Sequence, residues 1–455
     1  MMYVRTKQLR RASLVLLVFI LLFSVTVNSQ QRSSARQAAE QHYQTGLQLL
    51  KNGDLDGCIE AFKRAISLRP NEAEAHYYLG YALGIKGQLA DAIVELEKAI
   101  KLNPKLGLAH YYLGAARWFS KDVDGAIAAL RTAVRLIPRD ANAHYYLGVS
   151  LQKNGDLDEA IDYFRAAIKL QPNMLHAYND LGLALMQKRD PDGAIAAFNE
   201  ALKLDSSNMV AQLNLGTVLI QKGDYAAAVQ QYRRIIVQAP ESAEAHYNLG
   251  LALKQKDELT DAEIELRKAI DLQPRLHEAH YILGVVLMQQ SKLEDAAAAL
   301  RKAIEVKPNY AEAHFALGTV MQQQGNFAGA VAALREALVH APDAPEIHNA
   351  LGNALRKTGD IESARVEFQE AARLNKIKSD QQAAMFATNT GVAKLKEGKL
   401  DEAIETFQRA VQLDPTNAQA FYNLAKALQK KGQREAARSA ERKARELDPR
   451  LKPLL

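Results

Sequence analysis

Apolar positions recur along this chain at three- and four-residue spacing, in paired runs, and the pairs return every 34 residues. From Ala73 to Pro104 the first run holds Leu79, Gly80 and Leu83, and the second holds Ala92, Ile93, Leu96, Ala99 and Ile100. Each run predicts an amphipathic helix. Gly87 marks the turn between them, because glycine takes the left-handed conformation that ends a helix, and Pro104 stops the second helix. Copies begin at Ala39, Ala73, Gly107, Ala141, Leu175, Met209, Ala243, His277, Ala311, Pro345, Ala384 and Ala418. A period of this length predicts an all-α stack in which each helix pair buries its apolar face against the next.

Aligning the copies separates packing positions from variable ones. Position 8 is Gly in eleven copies and Ala425 in the last; position 20 is Ala in eleven and Cys58 in the first; position 27 is Ala in eleven and Ile235 in the other. Small residues at three fixed points let helices approach, and a large residue at position 24 fills the remaining gap. This pattern resembles the tetratricopeptide-repeat family, whose 34-residue helix-turn-helix units carry small residues at positions 8, 20 and 27 and proline at 32. The resemblance covers residues 39–451 and implies a right-handed α-solenoid of about twelve units, with a concave groove that binds segments of other proteins. The chain departs from the family at position 4, often Trp there but His in eight copies here.

The period fails once, where five extra residues precede Ala384. "SDQQAA" from Ser379 parallels "SARQAA" from Ser34, and both are capping-box patterns that start a helix. Two readings stand: a ten-repeat array, 34–378, followed by a two-repeat unit, 379–455, or a lengthened helix inside one continuous stack. The charged final helix, Arg434 to Leu447, suits a terminal unit with no further repeat to cover it.

Four basic residues precede an apolar run from Ala12 to Val27, shorter than the ~20 residues a spanning helix needs. Residues 1–29 are therefore expected to be an export signal cleaved after Ser29, with an uncleaved membrane anchor as the alternative. The expected location is periplasmic or secreted. Without those residues 54 basic side chains face 52 acidic ones, so the net charge of +6 is no argument for nucleic acid. Cys58 is the only cysteine, which excludes an intrachain disulfide.

The position-4 histidines are His42, His76, His110, His144, His246, His280, His314 and His348. They do not read as a metal column, because equivalent atoms on successive helices stand about 10 Å apart while zinc needs each nitrogen at about 2.1 Å. Half-buried rings are the expectation; buried and neutral, they would lower stability as pH falls below about 6.5. No phosphate-binding loop, zinc-protease helix or nucleophile elbow is present. No catalytic residue, metal or cofactor is expected, and the chain does not read as an enzyme.

Positions 2, 5, 6, 9, 12 and 13 share one side of the first helix, which lines the groove in the family. Partner-binding residues are expected at position 5 (Tyr77, Tyr111, Tyr145, Tyr247, Tyr281, Phe315) and position 6 (Tyr78, Tyr112, Tyr146), because rigid amphipathic rings suit recognition. Trp118 beside Phe119 is the first candidate anchor. Asn214, Asn248, Asn389 and Asn423 at position 6 resemble the asparagine ladder of O-linked N-acetylglucosamine transferases, which implies contact with an extended peptide backbone. The catalytic domain of those enzymes is not expected, since six residues follow Pro449. The sequence thus predicts an exported scaffold for protein or peptide partners, in envelope-complex assembly, or alternatively a substrate-presenting arm for a separate enzyme such as a glycosyltransferase.

Overall fold

The 34-residue units fold as antiparallel helix pairs in the computed structural model, which describes residues 34–454. The expected export signal at 1–29 lies outside those residues. Every regular element among the described residues is a helix, and none is long and apolar enough to cross a membrane. Contacts divide the chain between Gln238 and Ala239 into two compact units, repeats 1–6 and repeats 7–12. Each unit is an all-α stack.

Local chemistry sets the helix ends. Several second helices start at acidic or amide caps: the Asp54, Asp122, Asp190, Asn326 and Asp360 side chains accept from the backbone N–H three residues on. All twelve intra-repeat turns take one left-handed residue at position 15. Eight are Gly; the other four are Lys121, Arg189, Asp257 and Ser291, with φ between 59° and 68°. These four hold a conformation that L side chains adopt at a cost.

The helix pairs close where position 8 meets position 24. A Cβ built on Gly114 would lie 2.4 Å from Leu130 Cγ, and one on Gly216 2.4 Å from Tyr232 Cζ. Alanines at positions 20 and 27 complete the contact, as at Ala126 and Ala133, both fully buried beside Leu130. The expected small-residue columns therefore form the core.

The histidine column closes the junctions between repeats. His76 Nε2 donates to the carbonyl of Pro70 at 2.9 Å, and His110, His144, His280, His314 and His348 bond the corresponding prolines at 2.8–3.0 Å. Repeat 6 has Gln212 at position 4 and is preceded by Ser206 in place of proline; the amide donates to the Ser206 carbonyl at 2.7 Å and does the same work. A second recurring tie is ionic: Lys86 pairs with Asp56, Lys188 with Asp158, Lys222 with Asp192 and Lys431 with Asp401, position 14 to position 18 of the preceding repeat each time.

Repeats 10 and 11 are joined differently. One unbroken helix of 36 residues, Ile361–Lys396, contains the second helix of repeat 10 and the first of repeat 11. Ser379 lies in its interior, so the capping-box pattern there starts no helix. The cause is at position 32, where Lys376 replaces proline and the neighbours Asn375, Ile377 and Lys378 build no turn. Repeat 5 also lacks that proline yet turns, because Asp205 accepts from Ser207 N–H and Asn208 caps Ala211 N–H. Two segments that elsewhere pack side by side are here end to end.

Candidate functional site

Aromatic rings of the first helices touch in sequence across repeats 1–4. Tyr43 and Tyr78 have ring centroids 5.9 Å apart, Tyr77 and Tyr112 5.9 Å, Tyr81 and Tyr112 4.5 Å, Tyr111 and Tyr146 5.9 Å, and Phe119 and Tyr146 6.4 Å. Between these rings lies a cavity of about 200 Å³, walled by Tyr81, Ile85, Tyr111, Tyr112, Phe119 and Tyr146. Phe119 is 60% exposed and Ile85 52%, so the rim offers apolar surface to solvent.

Partial burial pushes the Tyr43 hydroxyl up to about 12, and burial raises Tyr112 further, with neighbouring Tyr81 adding to the effect. Both hydroxyls stay protonated at any physiological pH, and that of Tyr112 remains a donor inside an apolar cleft. Tyr145 donates to Asp180 at 2.7 Å, and burial holds the Asp180 carboxyl above its usual range.

The expected position-5 rings are not equivalent. Tyr77 and Tyr111 are buried between helices; Tyr111 reaches the cavity only as its floor, and Tyr77 does not line it. Their position-6 neighbours Tyr78 and Tyr112 are half-buried, as are Tyr145 and Tyr146. Trp118, the expected anchor, packs against the core of its unit and does not wall the cavity, whereas Phe119 does. A residue one step along a helix turns by about 100°, which carries position 12 inward and leaves position 13 outside. Tyr81 and Ile85, at positions 9 and 13 of repeat 2, complete the wall.

Tyr247, Tyr281 and Phe315 are half-buried in the second unit, where Tyr281 stacks obliquely on Tyr310 at 5.1 Å. The asparagines form no uniform row: Asn214 and Asn248 are half-buried, Asn389 is exposed and Asn423 is buried. Among the described residues no three His, Cys, Asp or Glu side chains are grouped to hold a metal ion.

An all-α stack of 34-residue helix-turn-helix units, with a ring-lined cleft on its first helices, defines a repeat protein of the kind that presents a surface to other proteins. Tetratricopeptide-repeat models match residues 46–84, 85–118, 107–174, 391–432 and 418–451, and the model described as the cilia and flagella-associated protein 70 C-terminal domain matches 176–388. No curated protein sequence matches the chain. Among solved structures, MamA protein is 31% identical over 37% of this chain and 93% of its own, with a TM-score of 0.35. YrrB, described as a TPR protein with an unusual peptide-binding site, is 26% identical over 40% of this chain and 95% of its own, at 0.37. A tetratricopeptide repeat protein from Parabacteroides merdae is 16% identical over 55% and 98%, at 0.44. The chain belongs to the tetratricopeptide-repeat family. Repeats of this family are generally protein-interaction scaffolds.

Proposed function

We propose that the chain binds peptide segments of partner proteins at the aromatic cleft of repeats 2–4. The observation that carries this reading is the cavity of about 200 Å³ walled by Tyr81, Ile85, Tyr112, Phe119 and Tyr146. A cleft of that size takes one large apolar side chain, and the ring hydroxyls beside it orient a peptide backbone. The test is affinity capture with residues 30–455 against a Tyr112→Ala, Phe119→Ala double variant of equal thermal stability. Loss of most partner recovery is expected; unchanged recovery refutes the assignment.

We also propose that the chain is exported and acts in assembly of an envelope complex. The leader supports this reading: basic residues, then an apolar run too short to span, then small residues near Ser29. Fractionation with N-terminal sequencing of the full-length product tests it. A cytoplasmic chain that retains Met1 refutes it.

A further inference from the structure

The long helix Ile361–Lys396 leaves one face of repeat 11 open that its counterparts keep covered. Position 3 is fully buried in Ala75, Ala109, Ala143 and Ala420, where the preceding repeat's second helix packs along the first helix. In repeat 11 position 3 is Phe386, and it is 74% exposed, next to Met385 at 60%. Position 4, filled by a histidine ring in most repeats, is Ala387. The missing helix and the missing ring leave a cavity of about 810 Å³, walled by Phe386, Ala387, Thr390, Lys394, Thr406 and Arg409 among others.

Repeat 1 shows what a solvated leading face looks like in this chain. It carries Glu40, Gln41 and Thr45 at positions 2, 3 and 7, all exposed. Repeat 11 shares only the threonine, Thr390. A phenylalanine and a methionine where the first repeat has glutamate and glutamine are the reverse of a polar cap.

We propose that this face receives an amphipathic helix from another protein, lying where the preceding repeat's second helix lies elsewhere. A second copy of this chain is a poor occupant. The pairs Asp56–Lys86 and Asp401–Lys431 fix the usual register, position 18 against position 14. In that register the repeat-10 helix of another copy brings Glu362 to Glu397, already paired with Lys399, and one turn on Arg365 to Lys394, already paired with Glu402, so like charge meets like charge and no new ion pair forms. The fitting partner carries the opposite pattern: a basic residue toward Glu397, an acidic one toward Lys394, and a ring-sized side chain over Ala387.

The probe is the stapled fourteen-residue peptide of Leu157–Leu170, a second helix of this same array, carrying Asp158→Lys to face Glu397, Ile161→Glu to face Lys394 and Ile168→Phe to lie over Ala387. Binding to the full chain is read by fluorescence anisotropy, with the sequence of residues 361–374, stapled likewise, for comparison. Saturable binding is expected, about tenfold weaker for the 361–374 peptide and about tenfold weaker in Phe386→Ala. Ala387→His fills the empty slot and lowers binding similarly, with circular dichroism and melting temperature retained. Absence of binding, or binding equal in both variants and wild type, overturns the proposal. So does concentration-dependent dimerisation of the chain alone that Phe386→Ala abolishes, since the occupant is then a second copy.

Discussion

His348 and Glu367 lie 2.6 Å apart, Nδ1 to Oε2, while the other ring nitrogen of His348 donates to the Pro342 carbonyl at 2.9 Å. Burial pulls the imidazole down, but the hydrogen bond to Glu367, the Pro342 carbonyl and the charges of Glu367 and Glu370 outweigh it and hold His348 above its ordinary value. With the folded value raised, the contribution is full below the unfolded value of about 6.5 and is lost as pH rises through the folded one. That is opposite to the expectation of a neutral buried ring. His348→Gln keeps the bond to Pro342, as Gln212 keeps its bond to Ser206, and removes the ion pair. The variant is expected to be less stable than the wild type at pH 6, with the gap shrinking toward pH 9. Denaturant melts at the two pH values measure it; a gap that widens with pH contradicts the assignment.

Two glycines in neighbouring repeats answer oppositely to alanine. At Gly114 the new Cβ meets Leu130 Cγ at 2.4 Å, deep in the helix pair, whereas at Gly84 the nearest atom is Ala92 Cβ at 3.9 Å. Gly114→Ala is expected to cost about 1–3 kcal/mol from overpacking, partly offset by helix propensity. Gly84→Ala is expected to gain about 0.5–1 kcal/mol, since only the propensity changes. Urea denaturation distinguishes the two signs.

The four non-glycine turns store local strain. Lys121 sits at φ 68° where eight other repeats place glycine. Lys121→Gly is expected to raise stability by roughly 1 kcal/mol, and Gly155→Lys, at a φ of 91°, to lower it by a similar amount. A thermal melt in which neither variant moves removes the argument.

Continuity of the long helix follows from Lys376. Spin labels at positions 365 and 396 are expected about 46 Å apart at the backbone, the span of 31 helical residues. Lys376→Pro is expected to break the helix, since it removes a backbone donor and clashes with the preceding turn, and the distance distribution shortens and broadens. A wild-type distance well short of this span contradicts the continuous helix, and an unchanged distribution in Lys376→Pro contradicts the role given to position 376.

The helix pairs, their turns and the columns at positions 8, 20, 24 and 27 were legible because a strict period repeats one solution to one packing problem. Which neighbour covers a given face was not. Periodicity places Tyr77 and Tyr78 on the same side of a helix, but only the adjacent helix decides that Tyr77 is sealed and Tyr78 is not. Trp118 and Phe119 divide in the same way. The partner of the histidine column is a carbonyl from the preceding repeat, and no pattern within one copy points there. At Ser379 the capping motif was real as a pattern, but with Lys376 in place of proline Asn375 stays helical, and nothing ended the helix that had to end first.

The end-to-end joint also sets how the chain carries load. Where helices lie side by side, tension along the array is resisted in shear by many contacts acting together. Across Ile361–Lys396 the same tension runs through one helix, held only by the about three to four backbone hydrogen bonds of each turn. Within the second unit the load path therefore narrows to one helix near Lys376, between the helix pairs on either side.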